Sequence, residues 1–118
     1  MIDDIKESDM DSNLLKVFVT VANTNSISLG AKELRFAQSN VTARIKQLEK
    51  NVGHSLFHRI PKGVILTTAG EKLYEYAVEI VKKTEEAVSY MKNIEEQSSL
   101  RVGSTESNAV VRIVPFLL

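Results

Sequence analysis

The chain has 118 residues, 43% hydrophobic and 25% charged, enough for one domain or for one domain with an attachment. It contains no Cys, which excludes disulfides and Cys-ligated zinc or iron–sulfur sites, and no apolar run approaches the roughly 20 residues of a membrane span. The net charge of zero hides a division: residues 1–12 carry five acids and one base, residues 13–63 eight bases and two acids, and residues 64–118 six bases and eight acids. A middle block of net +6 inside a neutral chain favours a polyanionic partner. The N-terminus is acidic and lacks a basic region followed by an apolar one, so no secretory leader is visible, and the bacterial cytoplasm is the plain expectation.

Residues 1–10 form an N-terminal extension, the one stretch whose composition reads as disordered. Residues 13–23, "NLLKVFVTVAN", predict a helix with Leu14, Phe18, Val21 and Ala22 on its apolar stripe. After the breaker "NTNS", residues 27–35 predict a second helix, capped by Ser26, with Ile27, Ala31 and Leu34 inward. A short link, "RFA", leads to a third helix from Gln38 to about Asn51, with Gly53 at its C-cap. Val41, Ile45, Leu48 and Val52 line its core face. Ser39, Ala43, Lys46 and Lys50 recur on the opposite face, which carries no acid. Three short helices with tight connections are the pattern of a helix-turn-helix. The apolar runs "SLFHR" and "VILTT" flank the turn "IPKG" and predict a hairpin wing with Arg59 and Lys62 at its tip.

From Thr68 the pattern is helical for about 30 residues, with Thr67 or Thr68 as cap and Glu71 in the first turn. Leu73, Ala77, Ile80, Val81, Thr84, Val88, Met91 and Ile94 recur at close to 3.5 residues. A stripe of that length is expected to pair with a second copy of the chain; the alternative is a helix folded back on its own domain. The polar "EEQSS" then reads as a linker, "LRVG" as a strand and "STESNAVVRIVPFLL" as a helix, together the first βα unit of a further α/β domain.

Three pieces in this order and spacing, "QSNVTARIKQLE" (Gln38–Glu49), "LFHR" (Leu56–Arg59) and "LTTAG" (Leu66–Gly70), closely resemble the N-terminal region of LysR-type transcriptional regulators. The resemblance covers residues 11–118. It implies a mainly α chain: a winged helix-turn-helix at 11–67, a long dimerisation helix at 68–98, and the opening of an effector-binding α/β domain at 99–118. It further implies binding to a two-fold site on double-stranded DNA as a homodimer or homotetramer, with a small-molecule effector for the longer protein. The sequence departs from the family pattern at four positions. Ala37 stands where Ser or Thr usually caps the recognition helix, at a cost of about 1 kcal/mol. Ser39 replaces a common Pro, Ala43 a frequent Arg, and Gly30 a frequent Ala, the last with a helix-propensity cost of about 1 kcal/mol.

On this frame each outward residue of the third helix has a chemical reading. Gln38 presents the paired amide that matches an adenine edge, Ser39 and Thr42 offer hydroxyls to base or phosphate, and Ala43 offers a methyl for a thymine methyl. Lys46 and Lys50 meet phosphate. Arg59 and Lys62 reach the neighbouring minor groove, with Arg59 having a competing reading as an ion-pair partner of Glu49. Ser26 and Ser28 cap the second helix or present it to a phosphate. Ser104, Thr105 and Ser107 precede a predicted helix and border the effector pocket that the resemblance implies; plain capping is the competing reading.

Catalysis has no visible basis: there is no phosphate-binding glycine loop, and His54 and His58 lack an acid at ligand spacing, so neither enzyme, metal nor cofactor is expected. The alternative function is a winged-helix module for protein–protein assembly. The acid-free face of the third helix, without aromatic or Met anchors, favours DNA over a protein partner.

Overall fold

A computed structural model describes residues 5–100, with side chains described through residue 94. The chain divides into two compact units, one ending at Thr84 and one starting at Glu85. The first unit contains a 3-10 turn (Glu7–Met10), α1 (Ser12–Thr24), α2 (Ile27–Leu34), α3 (Gln38–Val52), strands β1 (Phe57–Ile60) and β2 (Gly63–Leu66), and the start of α4 (Thr68–Leu100). This is a mostly helical winged helix-turn-helix, as the sequence predicts.

α1 starts at Asp11, whose carboxylate accepts the Asn13 N–H at 2.7 Å. It is the central helix: α2, α3 and β2 all pack on it. That shared role widens its buried arc beyond a single stripe. Leu15, Val17, Phe18 and Val21 are all at most 2% exposed, whereas the predicted Leu14 is half-buried. Thr20 also lies in this arc and satisfies its hydroxyl by donating to the Lys16 carbonyl.

Ser26 caps α2 by accepting the Leu29 N–H at 3.0 Å. Gly30 is more than a propensity cost. A Cβ there would lie 3.0 Å from Val21 Cγ2 and 3.3 Å from Val21 Cα, so the missing side chain lets α2 lie close on α1. α3 buries Val41, Ile45, Leu48 and Val52 as the spacing predicts. It ends at Gly53, in the left-handed region at φ 77°, with its N–H donating to Glu49.

The wing is an antiparallel pair, Phe57 opposite Leu66 and Arg59 opposite Val64. Two strands of four residues cannot stand alone. Asn25 fixes them to the end of α1: its carbonyl accepts the Val64 N–H at 3.1 Å, and its side-chain amide donates to the Val64 carbonyl at 3.2 Å. Phe57 adds a tilted ring contact with Phe18, 5.4 Å between centroids.

Thr67, not Thr68, caps α4: its hydroxyl accepts the Gly70 N–H at 2.9 Å and donates to the Ser55 carbonyl. The stripe of α4 behaves differently from the expectation. Ala77 is fully buried, and Leu73, Tyr74 and Val81 pack against the same core. Ala77 is therefore a residue of the domain's own core and not one free to meet a partner. The cause is its size, which lets the helix settle close to the domain. The predicted linker "EEQSS" does not break α4, which runs through it to Leu100. In the second unit Val88, Met91 and Ile94 are exposed on α4. The predicted βα unit, with Ser104, Thr105 and Ser107, lies outside the described residues.

Within the described residues the N-terminal extension is tied to the domain. Lys6 N–H donates to the Asp9 carboxylate, Met10 packs against the core, and the Asp9 carbonyl accepts from Asn51 Nδ2 at 3.0 Å.

Gly63 gives the clearest test of this frame. It sits at φ +150°, and a Cβ on it would fall 2.2 Å from the Asn25 carbonyl oxygen. Gly63→Ala should cost about 2 kcal/mol or more, from backbone strain and overpacking together. Urea unfolding, with Lys62→Ala as a neighbouring surface control, is the measurement; equal midpoints for the two variants would refute the account.

Candidate nucleic-acid interface

α3 commits one face to the core and leaves the other open. Gln38, Ser39, Ala43, Lys46 and Lys50 are exposed and Thr42 is half-buried, so the fold brings these six together along the outward side of one helix. The helix starts at Ala37, which makes no side-chain cap bond. The first-turn amides therefore lack the oxygen that Ser or Thr would supply.

At the start of α2 the two serines divide their roles. Ser26 Oγ is occupied as the cap, and it lies 3.2 Å from Ser28 Oγ, which is exposed. On the wing, Arg59 and Lys62 are both exposed. Glu49, the acid expected to compete for Arg59, instead accepts the Leu56 N–H at 2.8 Å. That bond fixes the turn from α3 into the wing.

The structure adds a cluster that the sequence reading passed over. Arg44 Nε donates to Asn40 Oδ1 at 2.7 Å, and its guanidinium lies 5.1 Å from the centroid of the Phe36 ring. The i, i+4 spacing of Asn40 and Arg44 beside an aromatic in the preceding link is the signal that could have found it. On α4, Ile80, Val88, Met91 and Ile94 are 36–56% exposed, and Tyr76 and Tyr90, also absent from the sequence reading, are 69% and 61% exposed. Thr84 is exposed, with its hydroxyl donating to the Ile80 carbonyl. Ala87, Val88, Met91 and Lys92 line a shallow recess. Among the described residues no group of three or more His, Asp or Glu side chains is placed to hold a metal, and no helix is long and apolar enough to cross a membrane.

Residues 12–71 match the family described as bacterial regulatory helix-turn-helix protein, lysR family. The chain belongs to that family.

Similar relatives include the HTH-type transcriptional regulator CzcR of Bacillus subtilis, 43% identical over 110 residues, which cover 92% of this chain and 37% of the relative. YofA of the same organism is 40% identical over 105 residues, covering 88% of this chain and 37% of the relative. The chain thus spans a little over a third of the length of these curated relatives. Among solved structures, the BenM DNA-binding domain in complex with catB site 1 DNA is similar at 30% identity and a TM-score of 0.67, covering 73% of this chain and 97% of that one. Full-length CbnR complexed with its target DNA is similar at 29% identity and a TM-score of 0.64, covering 70% of this chain and 29% of that one. The lysR-family match and the winged fold rest on the same residues: the matched stretch runs from the first residue of α1 into the first turn of α4.

The uncapped start of α3 carries a prediction. Ala37→Ser should stabilise the domain by about 1 kcal/mol, because Ala37 already has the extended backbone of a cap, φ −68° and ψ 148°. Urea or thermal unfolding measures the gain; an unchanged midpoint would refute it.

Proposed function

We propose that the chain is the DNA-reading part of a LysR-type transcription regulator, with no enzymatic role, working in the bacterial cytoplasm. The observation that carries this reading is the outward face of α3. On a lysR-family helix-turn-helix it presents Gln38, Ser39, Ala43, Lys46 and Lys50 to solvent, with two cations and no acid. An α-helix fits the major groove of B-DNA with its N-terminal residues at the base edges. Gln38, Thr42 and Ala43 are then the residues that read bases, and Lys46 and Lys50 the residues that meet phosphates. Arg59 and Lys62 on the wing, and Ser28 beside the α2 cap, extend the contact to the flanking backbone.

The same reading assigns residues 11–67 to DNA binding, 68–98 to dimerisation and 99–118 to the start of an effector-binding domain. Ser104, Thr105 and Ser107 border the site of a small-molecule effector there. A homodimer or homotetramer supplies two recognition helices for a two-fold operator. The DNA complexes of BenM and CbnR support this reading by likeness of fold.

Two variants separate affinity from selectivity. Lys46→Ala should weaken binding about equally to a preferred and a random duplex and reduce the salt slope by about one, while Gln38→Ala should narrow the gap between the duplexes. Duplexes selected from a randomised pool, titrated at several salt concentrations, supply the measurement. Identical effects of the two substitutions would rule out this division of roles.

Assembly is tested on the exposed part of α4. The unmodified chain should sediment as a dimer at tens of micromolar, and a Val88→Glu, Met91→Glu double variant as a monomer, since each buried apolar side chain is worth roughly 1.5–3 kcal/mol. Dimers of equal strength for both proteins would place the interface elsewhere.

A further inference from the structure

α3 begins with an incomplete set of hydrogen bonds, and the side chains around its first turn compensate. Ala37 has no oxygen to offer, and only the Asn40 and Val41 N–H groups reach back to its carbonyl, at 3.0 and 3.2 Å. The link before it is short. Arg35 sits in the left-handed region at φ 63°, and the Phe36 N–H is turned back to the Ala31 carbonyl to close α2. Among the described residues no backbone bond ties Arg35 or Phe36 forward to α3.

The side chains do. The Phe36 ring, which stands before the cap position, lies 5.1 Å from the guanidinium of Arg44, in the second turn. Asn40, in the first turn, holds that guanidinium by accepting from Arg44 Nε at 2.7 Å. Arg44 thus bridges the residue before the helix and the residue inside its first turn. Arginine suits this task where lysine does not. Its planar fork stacks on a ring with one face while an edge N–H donates in a fixed direction. A hydrophobic staple brackets a helix start with two apolar side chains. Here a cation–π contact and a hydrogen bond bracket it instead.

We infer that Arg44, acting through Phe36 and Asn40, is a positioning residue that fixes the first turn of α3, and with it Gln38, Ser39 and Thr42, in place of the missing cap. The functional half of this inference rests on the DNA-binding reading above; the structural half does not. Arg44 need not touch the nucleic acid to act. Its loss loosens the reading turn, so it lowers discrimination between sequences and leaves the count of phosphate contacts unchanged.

The test uses the 118-residue chain with Arg44→Gln, Phe36→Leu, and each combined with Ala37→Ser. The probes are a duplex selected from a randomised pool by the unmodified chain and a scrambled duplex of the same composition. Arg44→Gln and Phe36→Leu should each narrow the preference for the selected duplex by roughly two- to fivefold, the size of an exposed cation–π contact, with no change in salt slope. Ala37→Ser, by restoring a cap, should recover most of that preference. Amide hydrogen exchange at Asn40 and Val41 should quicken in both single variants and slow again in the combinations. An equal loss on both duplexes with a shallower salt slope would make Arg44 a phosphate contact and overturn the proposal, as would absence of rescue by Ala37→Ser. Unchanged exchange at Asn40 and Val41 would overturn it whatever the DNA result. If the chain bound neither duplex while exchange followed the expected pattern, the DNA-binding reading would fail and the clamp would stand.

Discussion

Leu56 is the residue at which three elements are tied together. Its N–H donates to Glu49 on α3, its carbonyl accepts the Thr67 N–H at the start of α4, and its side chain is 1% exposed in the core. The wing is too small to set its own direction. It takes that direction from this tie at one end and from Asn25 at the other. The tie also explains the run Leu66–Gly70. Thr67 caps the helix and bonds across to Ser55, and Gly70 must lack a Cβ, because one would fall 2.2 Å from the Leu56 carbonyl. Leu56 and the run Leu66–Gly70, within two pieces of the sequence signature, therefore act partly through backbone contacts. These locate the wing and the first turn of α4 against α3.

The charge layout follows from where that frame spends its apolar residues. α3 gives Val41, Ile45, Leu48 and Val52 to the core, so Lys46 and Lys50 are left on its exposed side. The acidic extension docks near the C-terminal end of the same helix, through the bond from Asn51 to Asp9. Gln38 lies thirteen residues earlier, about 20 Å along the axis at ~1.5 Å per residue. That is about two Debye lengths at physiological salt. Asp9 therefore leaves the field at the proposed reading end largely intact, and a neutral chain keeps a basic surface there.

The winged helix-turn-helix was legible in the sequence because its signals are local: the period of α3, Ser26 as a cap, Gly53 as a stop, and Pro61 with Gly63 around a turn. What escaped the sequence depends on contacts between elements. A single stripe on α1 misses Leu15 and Val17, because a helix packed from several sides buries more than one stripe. Gly30 scored as a helix penalty until Val21 was seen beneath it. Composition made the first ten residues look disordered, but Met10 and Asn51 hold their second half, and no composition measure registers two specific contacts. On α3 the periodicity placed Ser39, Ala43, Lys46 and Lys50 on the exposed side, since the core face leaves no choice. The Phe36–Arg44 pair joins a link to a helix, and such a pair is invisible to a pattern read along one element.

The stripe of α4 shows how one period can run through two surroundings. Its early members fall on the domain's own core: Ala77 is sealed, and Leu73 and Val81 are half-covered. At Val88, Met91 and Ile94 the same spacing is exposed among the described residues, with Val88 and Met91 at 50% and 56%. Periodicity alone cannot mark the change, because both halves repeat at the same interval; residue size does. An alanine lets a helix lie close on its own domain, whereas exposed valine, methionine and isoleucine offer area that no other described residue covers. Tyr76 and Tyr90 are also exposed, large side chains with an apolar body and a polar tip. A charge placed at Val81 would damage the fold and the proposed dimer together. Only the residues beyond Thr84 separate the two.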